Sequence, residues 1–155
     1  MRAAECVLED EAATLRLGAR LATALEPGTV IHLRGDLGAG KTTLVRGLLR
    51  SLGFDGRVKS PTFSLVELYE LSKLSLYHFD FYRFGNPRDW LDAGLADCFD
   101  GIHVCCVEWP EKAGAGLPAA DVQVHLEPVP NSGRQAWIDA LSSKGERCIA
   151  GLHTD

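Results

Sequence analysis

The polarity pattern opens on a helical stripe. Glu9-Asp10-Glu11 puts negative charge where a helix can begin, and Leu15, Ala19 and Ala22, with Leu21 and Leu25, hold an apolar face until Pro27-Gly28 stops it. Residues 29–33 then form a short apolar run that predicts a buried strand. A glycine-rich turn spans residues 35–40. Beyond it Leu44, Val45, Leu48, Leu49 and Leu52 recur at three- and four-residue spacing, and Gly53 closes that second helix.

Further along, Ser60-Pro61-Thr62-Phe63 has loop chemistry and leads into a strand candidate at 65–69; residues 75–82 alternate well enough for another. Asn86-Pro87 fits a helix cap with proline in the first turn, for a helix carrying Trp90, Leu91 and Leu95. A dense apolar run at 102–107 ends in Glu108-Trp109-Pro110, and residues 114–118 read as a surface loop. Two late alternating segments, 122–126 and 135–140, predict a hairpin joined through Asn131-Ser132-Gly133. Helices interleaved with buried strands indicate an α/β fold, a mixed central sheet flanked by helices, with the late strands as antiparallel additions.

Composition narrows this to one domain over residues 1–155, since the length is about that of a single average domain. A net charge of −5 argues against a protein whose main act is gripping nucleic acid or an anionic membrane, both of which need a basic surface. No stretch approaches about 18 apolar residues, and the N-terminus has no apolar run suited to a signal peptide. The five cysteines, Cys6, Cys98, Cys105, Cys106 and Cys148, include no C-x-x-C, and adjacent residues on a strand point to opposite faces. Reduced, buried thiols in a cytoplasmic protein are the expectation.

Residues Gly35-Asp36-Leu37-Gly38-Ala39-Gly40-Lys41-Thr42 satisfy G-x-x-x-x-G-K-[ST] at every constrained position. The glycines let the backbone turn so that N–H groups converge on phosphate oxygens, and the following helix adds the positive end of its dipole. Lys41 supplies a point charge for the β- and γ-phosphates, and the Thr42 hydroxyl can ligate Mg²⁺. By chance the pattern arises roughly once in two hundred chains of this length. The flanking strand and amphipathic helix are the context it requires. Glu108 ends a buried strand at the sheet edge where open α/β proteins place ligands, so it is a second Mg²⁺ candidate, or else a solvated rim glutamate. Asp80 ends another strand and shares a face with His78: it orients a water, or it is a cap or a partner for Arg83. Thr62 lies where a γ-phosphate sensor would sit, or in a simple turn. Trp109 covers the site, anchors a partner or packs. The five histidines show no metal spacing.

Four segments together, the phosphate loop with Thr43-Leu44, Lys59-Ser60-Pro61-Thr62-Phe63-Ser64-Leu65-Val66, His78-Phe79-Asp80-Phe81-Tyr82-Arg83 and Val107-Glu108-Trp109-Pro110-Glu111-Lys112, resemble the bacterial TsaE (YjeE) ATPases over nearly the whole chain. The resemblance implies a P-loop NTPase-like domain that binds ATP, or ADP after turnover, with Mg²⁺. It also implies an accessory role to the TsaB–TsaD complex in tRNA threonylcarbamoyladenosine synthesis, so that tRNA is served indirectly and neither DNA nor membrane is a partner. By position, Leu37, Gly38, Ala39, Gly40, Lys41, Thr42 and Thr43 would cradle phosphates, Thr42 and Glu108 would hold Mg²⁺, and Asp80 would serve hydrolysis, with Thr62 in a switch-like loop. Glu11 and Arg134 match contacts by which the family closes its nucleotide site. One departure is Arg88-Asp89-Trp90, where the family commonly has an acidic pair after Asn-Pro.

The enzymatic rival is a small P-loop kinase, which needs an acceptor pocket and usually an arginine-bearing lid; residues 114–118 contain no arginine. A GTPase would read guanine through Asn-Lys-x-Asp, which is absent from the chain. The non-enzyme rival is a nucleotide-sensing scaffold that never hydrolyses. No arginine finger can be assigned, although Arg83 and Arg134 are candidates in cis, so weak basal turnover that rises on assembly is expected.

Overall fold

The computed structural model describes residues 2–130 and 133–153. Seven strands, β1 (Arg2–Leu8), β2 (Val30–Arg34), β3 (Val66–Glu70), β4 (Ser75–Asp80), β5 (Val104–Glu108), β6 (Val122–Pro128) and β7 (Arg134–Ala140), form one sheet in the order β1-β7-β6-β2-β5-β4-β3. The inner four, β6, β2, β5 and β4, run parallel; β3 pairs antiparallel on one edge, and the β7–β1 pair extends the other. This is the mixed sheet with antiparallel additions expected from the apolar runs. The hairpin β6–β7 forms as predicted, although Asn131 and Ser132 of its connection lie outside the described residues.

Helices α1 (Glu11–Ala22), α2 (Lys41–Ser51) and α4 (Ser143–Ile149) cover one face of the sheet, contributing Leu17, Leu21, Leu44, Leu48 and Ile149 to a core with Ile31, Leu33 and Val124. The other face carries an aromatic cluster of Phe79, Phe81, Phe84 and Trp90, with Phe99 packed against it. Cys106 belongs to the first core and Cys105 to the second, as period-two alternation requires. Burial pushes both thiols up, that of Cys105 to about 12, so they are inert apolar fillers.

Three expectations change. The helix after Asn86-Pro87 is one turn, α3 (Asp89–Asp92), preceded by Arg88 rather than capped at Asn86. The Asn86 side chain instead accepts the Arg88 amide, and Asp89 accepts the amides of Gly85 and Asn86. Trp90 and Leu95 are buried as expected but Leu91 is exposed, because Gly94 at φ 75° ends the turn before a helical face develops. The strand expected from residue 102 begins at Val104: Asp100 accepts the amides of Ile102 and His103, which holds them in a turn and leaves Ile102 exposed. The 114–118 loop is partly a 3-10 segment, Pro110–Gly116. The edge strand β1 and the short α4 are additions; β1 alternates only through the small residues Ala4 and Cys6 before Leu8, too weak a signal to read.

Two glycines fix α2, and with it the phosphate loop, against α1. A Cβ on Gly18 would lie 2.1 Å from the Leu44 carbonyl oxygen, and one on Gly47 would lie 2.2 Å from that of Leu15. The helix backbones touch there, and a methyl group must push them apart. Gly47→Ala is expected to lower unfolding free energy by about 1–3 kcal/mol. Gly85→Ala, where a Cβ would meet nothing within 4 Å, should change it by less than about 0.5 kcal/mol. Urea denaturation of the two variants measures the contrast.

Candidate functional site

The parallel strands bring their carboxyl ends to one edge, and a cavity of about 500 Å³ opens there. Its floor is the loop between β2 and α2. Gly35, Gly38 and Gly40 all have positive φ (142°, 77° and 104°), the conformations that fold this loop back on itself. At Gly35 no other residue would fit, since a Cβ would stand 2.4 Å from the Leu126 carbonyl oxygen. Gly40 is the N-terminal cap of α2 and offers no side-chain hydrogen bond to its first turn, which contains no acidic residue. The amides at this end therefore remain available to an anion in the cavity.

Lys41 is 4% exposed and folded inward, donating to the carbonyl oxygens of Gly35 and, at 3.0 Å, Asp36. Its Nζ lies 4.4 Å from the centroid of the Trp109 ring. Burial pulls the Lys41 pKa down, while Glu108, Asp80, Glu111 and Asp36 act to keep the ammonium charged. Trp109 has a left-handed backbone (φ 59°), unusual for a bulky side chain, and packs on Tyr82 at 5.0 Å between centroids. Of its three expected roles, packing is met, since the ring also packs against the aromatic cluster, and the residue lines the cavity as well.

Glu108 is not a solvated rim residue. It is 3% exposed, and its Oε2 accepts from the Thr42 hydroxyl at 2.8 Å and bonds His78 Nε2 at 2.7 Å. In the β4–β5 register Asp80 stands opposite Glu108 and His78 opposite Cys106, so both carboxylates face the cavity side of the sheet. Asp80, 4% exposed, does not pair with Arg83. Its Oδ2 accepts from the hydroxyls of Ser60 and, at 3.1 Å, Thr62, and its Oδ1 from the Tyr82 amide at 2.9 Å. Residues 60–62 are thereby tied to the end of β4. Leu65, at φ 72°, adds its carbonyl oxygen as acceptor for the Asp80 amide at 3.1 Å.

Arg134 spans from β7 to the loop, with Nε donating to the Ala39 carbonyl at 3.0 Å and Nη2 to that of Gly38 at 2.7 Å; Nη1 donates to Gly133 at 2.8 Å. This fork holds two loop carbonyls in place. Glu11 reaches the rim, 3.9 Å from Arg46. The nucleotide, metal and catalytic candidates from the sequence, Glu11, Leu37 through Thr43, Thr62, Asp80, Glu108 and Arg134, all line this one cavity, whereas the finger candidate Arg83 does not. Ser60, Thr14, Glu9 and Asp10 join them without having been singled out. Ser60 was legible in the motif with Thr62, but its hydroxyl gained a role only once Asp80 was placed beside it.

A glycine-rich P-loop between a strand and a helix, at the carboxyl edge of the parallel centre of a mixed sheet, defines a P-loop NTPase-like fold. Residues 8–136 match the family model described as "Threonylcarbamoyl adenosine biosynthesis protein TsaE". The chain is 42% identical over 150 residues to the tRNA threonylcarbamoyladenosine biosynthesis protein TsaE of Haemophilus influenzae, covering 94% of each, and 38% identical over 133 residues to that of Treponema pallidum, covering 86% of this chain and 98% of the other. The crystal structure of Bacillus subtilis YdiB superposes with a TM-score of 0.83 at 29% identity, covering 98% of this chain and 95% of that one. The chain belongs to the TsaE family of tRNA threonylcarbamoyladenosine biosynthesis, as the sequence motifs implied.

Arg134→Ala should free the Gly38 and Ala39 carbonyls and speed hydrogen exchange of amides 37–40 in the protein without nucleotide, with a stability loss of about 1–2 kcal/mol in denaturant melts. Arg134→Lys should not restore protection, because an ammonium cannot reproduce the fork.

Proposed function

We propose that this protein binds ATP in the P-loop cavity with Mg²⁺, hydrolyses it slowly to ADP and phosphate, and acts in the cytoplasm as the accessory ATPase of a TsaB–TsaD complex, touching tRNA only through that assembly. The observation that carries the nucleotide reading is the convergence of free helix-terminal amides and Lys41 on one cavity. Two buried carboxylates, Asp80 and Glu108, also face it. Alone they would repel a triphosphate; with a divalent cation between, they favour it. The donors at hand, a hydroxyl and a carboxylate oxygen, are hard and suit Mg²⁺. Among the described residues no group of three His, Cys, Asp or Glu side chains is placed to hold a metal, so phosphate oxygens and water would complete the coordination.

Thr42 and Glu108 would hold the ion, which when bound neutralises charge on the β- and γ-phosphate oxygens. Lys41 would leave the Gly35 and Asp36 carbonyls for the phosphates, moving its charge from one set of oxygens to another. Asp80, its rotamer fixed by Ser60, Thr62 and the Tyr82 amide, would orient the attacking water. Thr62 sits on the same carboxylate, so γ-phosphate contacts at residues 60–62 and the position of Asp80 are coupled.

The arginines explain the expected slowness. Arg134 is committed to the loop carbonyls, Arg83 lies 4.8 Å over the Phe63 ring, and Arg34 bonds Gln123 and Glu111. Among the described residues Arg134 is the one arginine that lines the cavity, and it is tied to the loop. A partner that supplied one would raise the rate on the order of 10³–10⁵-fold.

Addition of ATP and Mg²⁺ should raise the melting temperature, as ligand binding to the native state requires, and Lys41→Ala should remove that rise. Asp80→Ala should abolish phosphate release while sparing the ATP-dependent rise. Fast turnover by the isolated chain, with no gain on adding TsaB and TsaD, would overturn the accessory role; ATP binding without phosphate release in any assembly would leave a nucleotide-sensing scaffold.

A further inference from the structure

His78 is fully buried, with Nδ1 unpartnered among the described residues and Nε2 2.7 Å from Glu108 Oε2. For packing alone this is a poor choice, since an apolar side chain would fill the space without stranding a ring nitrogen. What the ring adds is a donor. A carboxylate oxygen only accepts, so Nε2 is the donor in this bond.

We infer that His78 is a positioning residue that fixes the Glu108 carboxylate in its ion-holding orientation. The inference rests on the proposed Mg²⁺ site. Many P-loop NTPases place an aspartate at this strand end. The glutamate here has one more rotatable bond, and its extra freedom must be removed if the carboxylate is to be ready before the ion arrives. Two donors converge on Oε2, from Thr42 and His78, and Oε1 has no hydrogen bond from the described residues. Thr42 is itself a proposed ligand. His78 is therefore the anchor that does not depend on the ion. Its place is set by β4, where the step of two residues to Asp80 keeps both on the cavity side, and by pairing with Cys106, two before Glu108.

The test compares His78→Leu, His78→Asn and His78→Gln with the native protein. Mn²⁺ binding is followed by electron paramagnetic resonance in the presence of ADP, and ADP affinity is measured separately in EDTA. The Leu variant should weaken Mn²⁺ binding by about 10–100-fold while metal-free ADP affinity stays within about twofold. Gln, whose amide reaches the position of Nε2, should retain most of the affinity; the shorter Asn should lose it. Should the Leu variant fail to fold, the Gln and Asn pair decides. Unchanged Mn²⁺ affinity in the Leu and Asn variants would overturn the inference and leave the metal site standing. Equal losses of Mn²⁺ and metal-free ADP binding would also overturn it, as general damage. No nucleotide-dependent Mn²⁺ binding by the native protein would remove the metal site and the inference together.

Discussion

The parallel register between β4 and β5 is the constraint from which the site follows. It sets Asp80 against Glu108 at the ends of adjacent strands, on one face of the sheet. Alternation then sends Phe79 and Val107 to the opposite, aromatic face. A slip of one residue in β4 would turn Asp80 and His78 into the aromatic core and point Phe79 and Phe81 at the cavity. The register is held because both faces are buried, so the charged pair is placed by the apolar residues between them. The site's precision is thus inherited from packing, and the aromatic cluster contributes to function without touching the cavity.

A second constraint acts on the loop. α2 carries Lys41 and Thr42 on its first turn, and its backbone is seated directly on α1 at Gly18 and Gly47. From the other side Arg134 on β7 grips the carbonyls of Gly38 and Ala39. The loop is therefore braced by elements from both halves of the chain, with the N-terminal helix and the late hairpin meeting at the cavity rim. That Arg134 serves the loop through its carbonyls alters the meaning of the match suggested by sequence: in this state the residue shapes the phosphate cradle.

Much of this was legible before any coordinates. The phosphate loop is readable because its backbone geometry tolerates few residue types, and Glu108 because a dense apolar run ended in an acid. The phase of 44–52 located α2; that of 15–25 located α1, which however ends at Ala22 and buries Thr14, Leu17 and Gly18 where Leu15 and Ala19 were expected. What escaped depended on partners far apart in sequence. Ser60 matters through Asp80, twenty residues on, and His78 through Glu108, thirty residues on. The turn at 100–103 and the truncated α3 were set by side-chain to backbone hydrogen bonds of Asp100 and Asp89, which compete locally with strand and helix. β1 escaped because an edge strand needs only a thin apolar stripe.

The same distribution of charge bears on why such a site would need help. The cations that line it are already engaged: Lys41 on carbonyls and the Trp109 ring, Arg134 on the loop. Its anions are deeply buried and close together. On the proposed reading, a triphosphate would be attracted mainly by amides and by whatever divalent ion accompanies it, which would favour holding the nucleotide over cleaving it. On that reading cleavage would require additional positive charge at the γ-phosphate, and the cations that line the cavity, Lys41 and Arg134, could provide it only by abandoning contacts that shape the loop. On the proposed reading, a donor from outside the chain would avoid that conflict, so the bracing of this domain would favour activation by a partner.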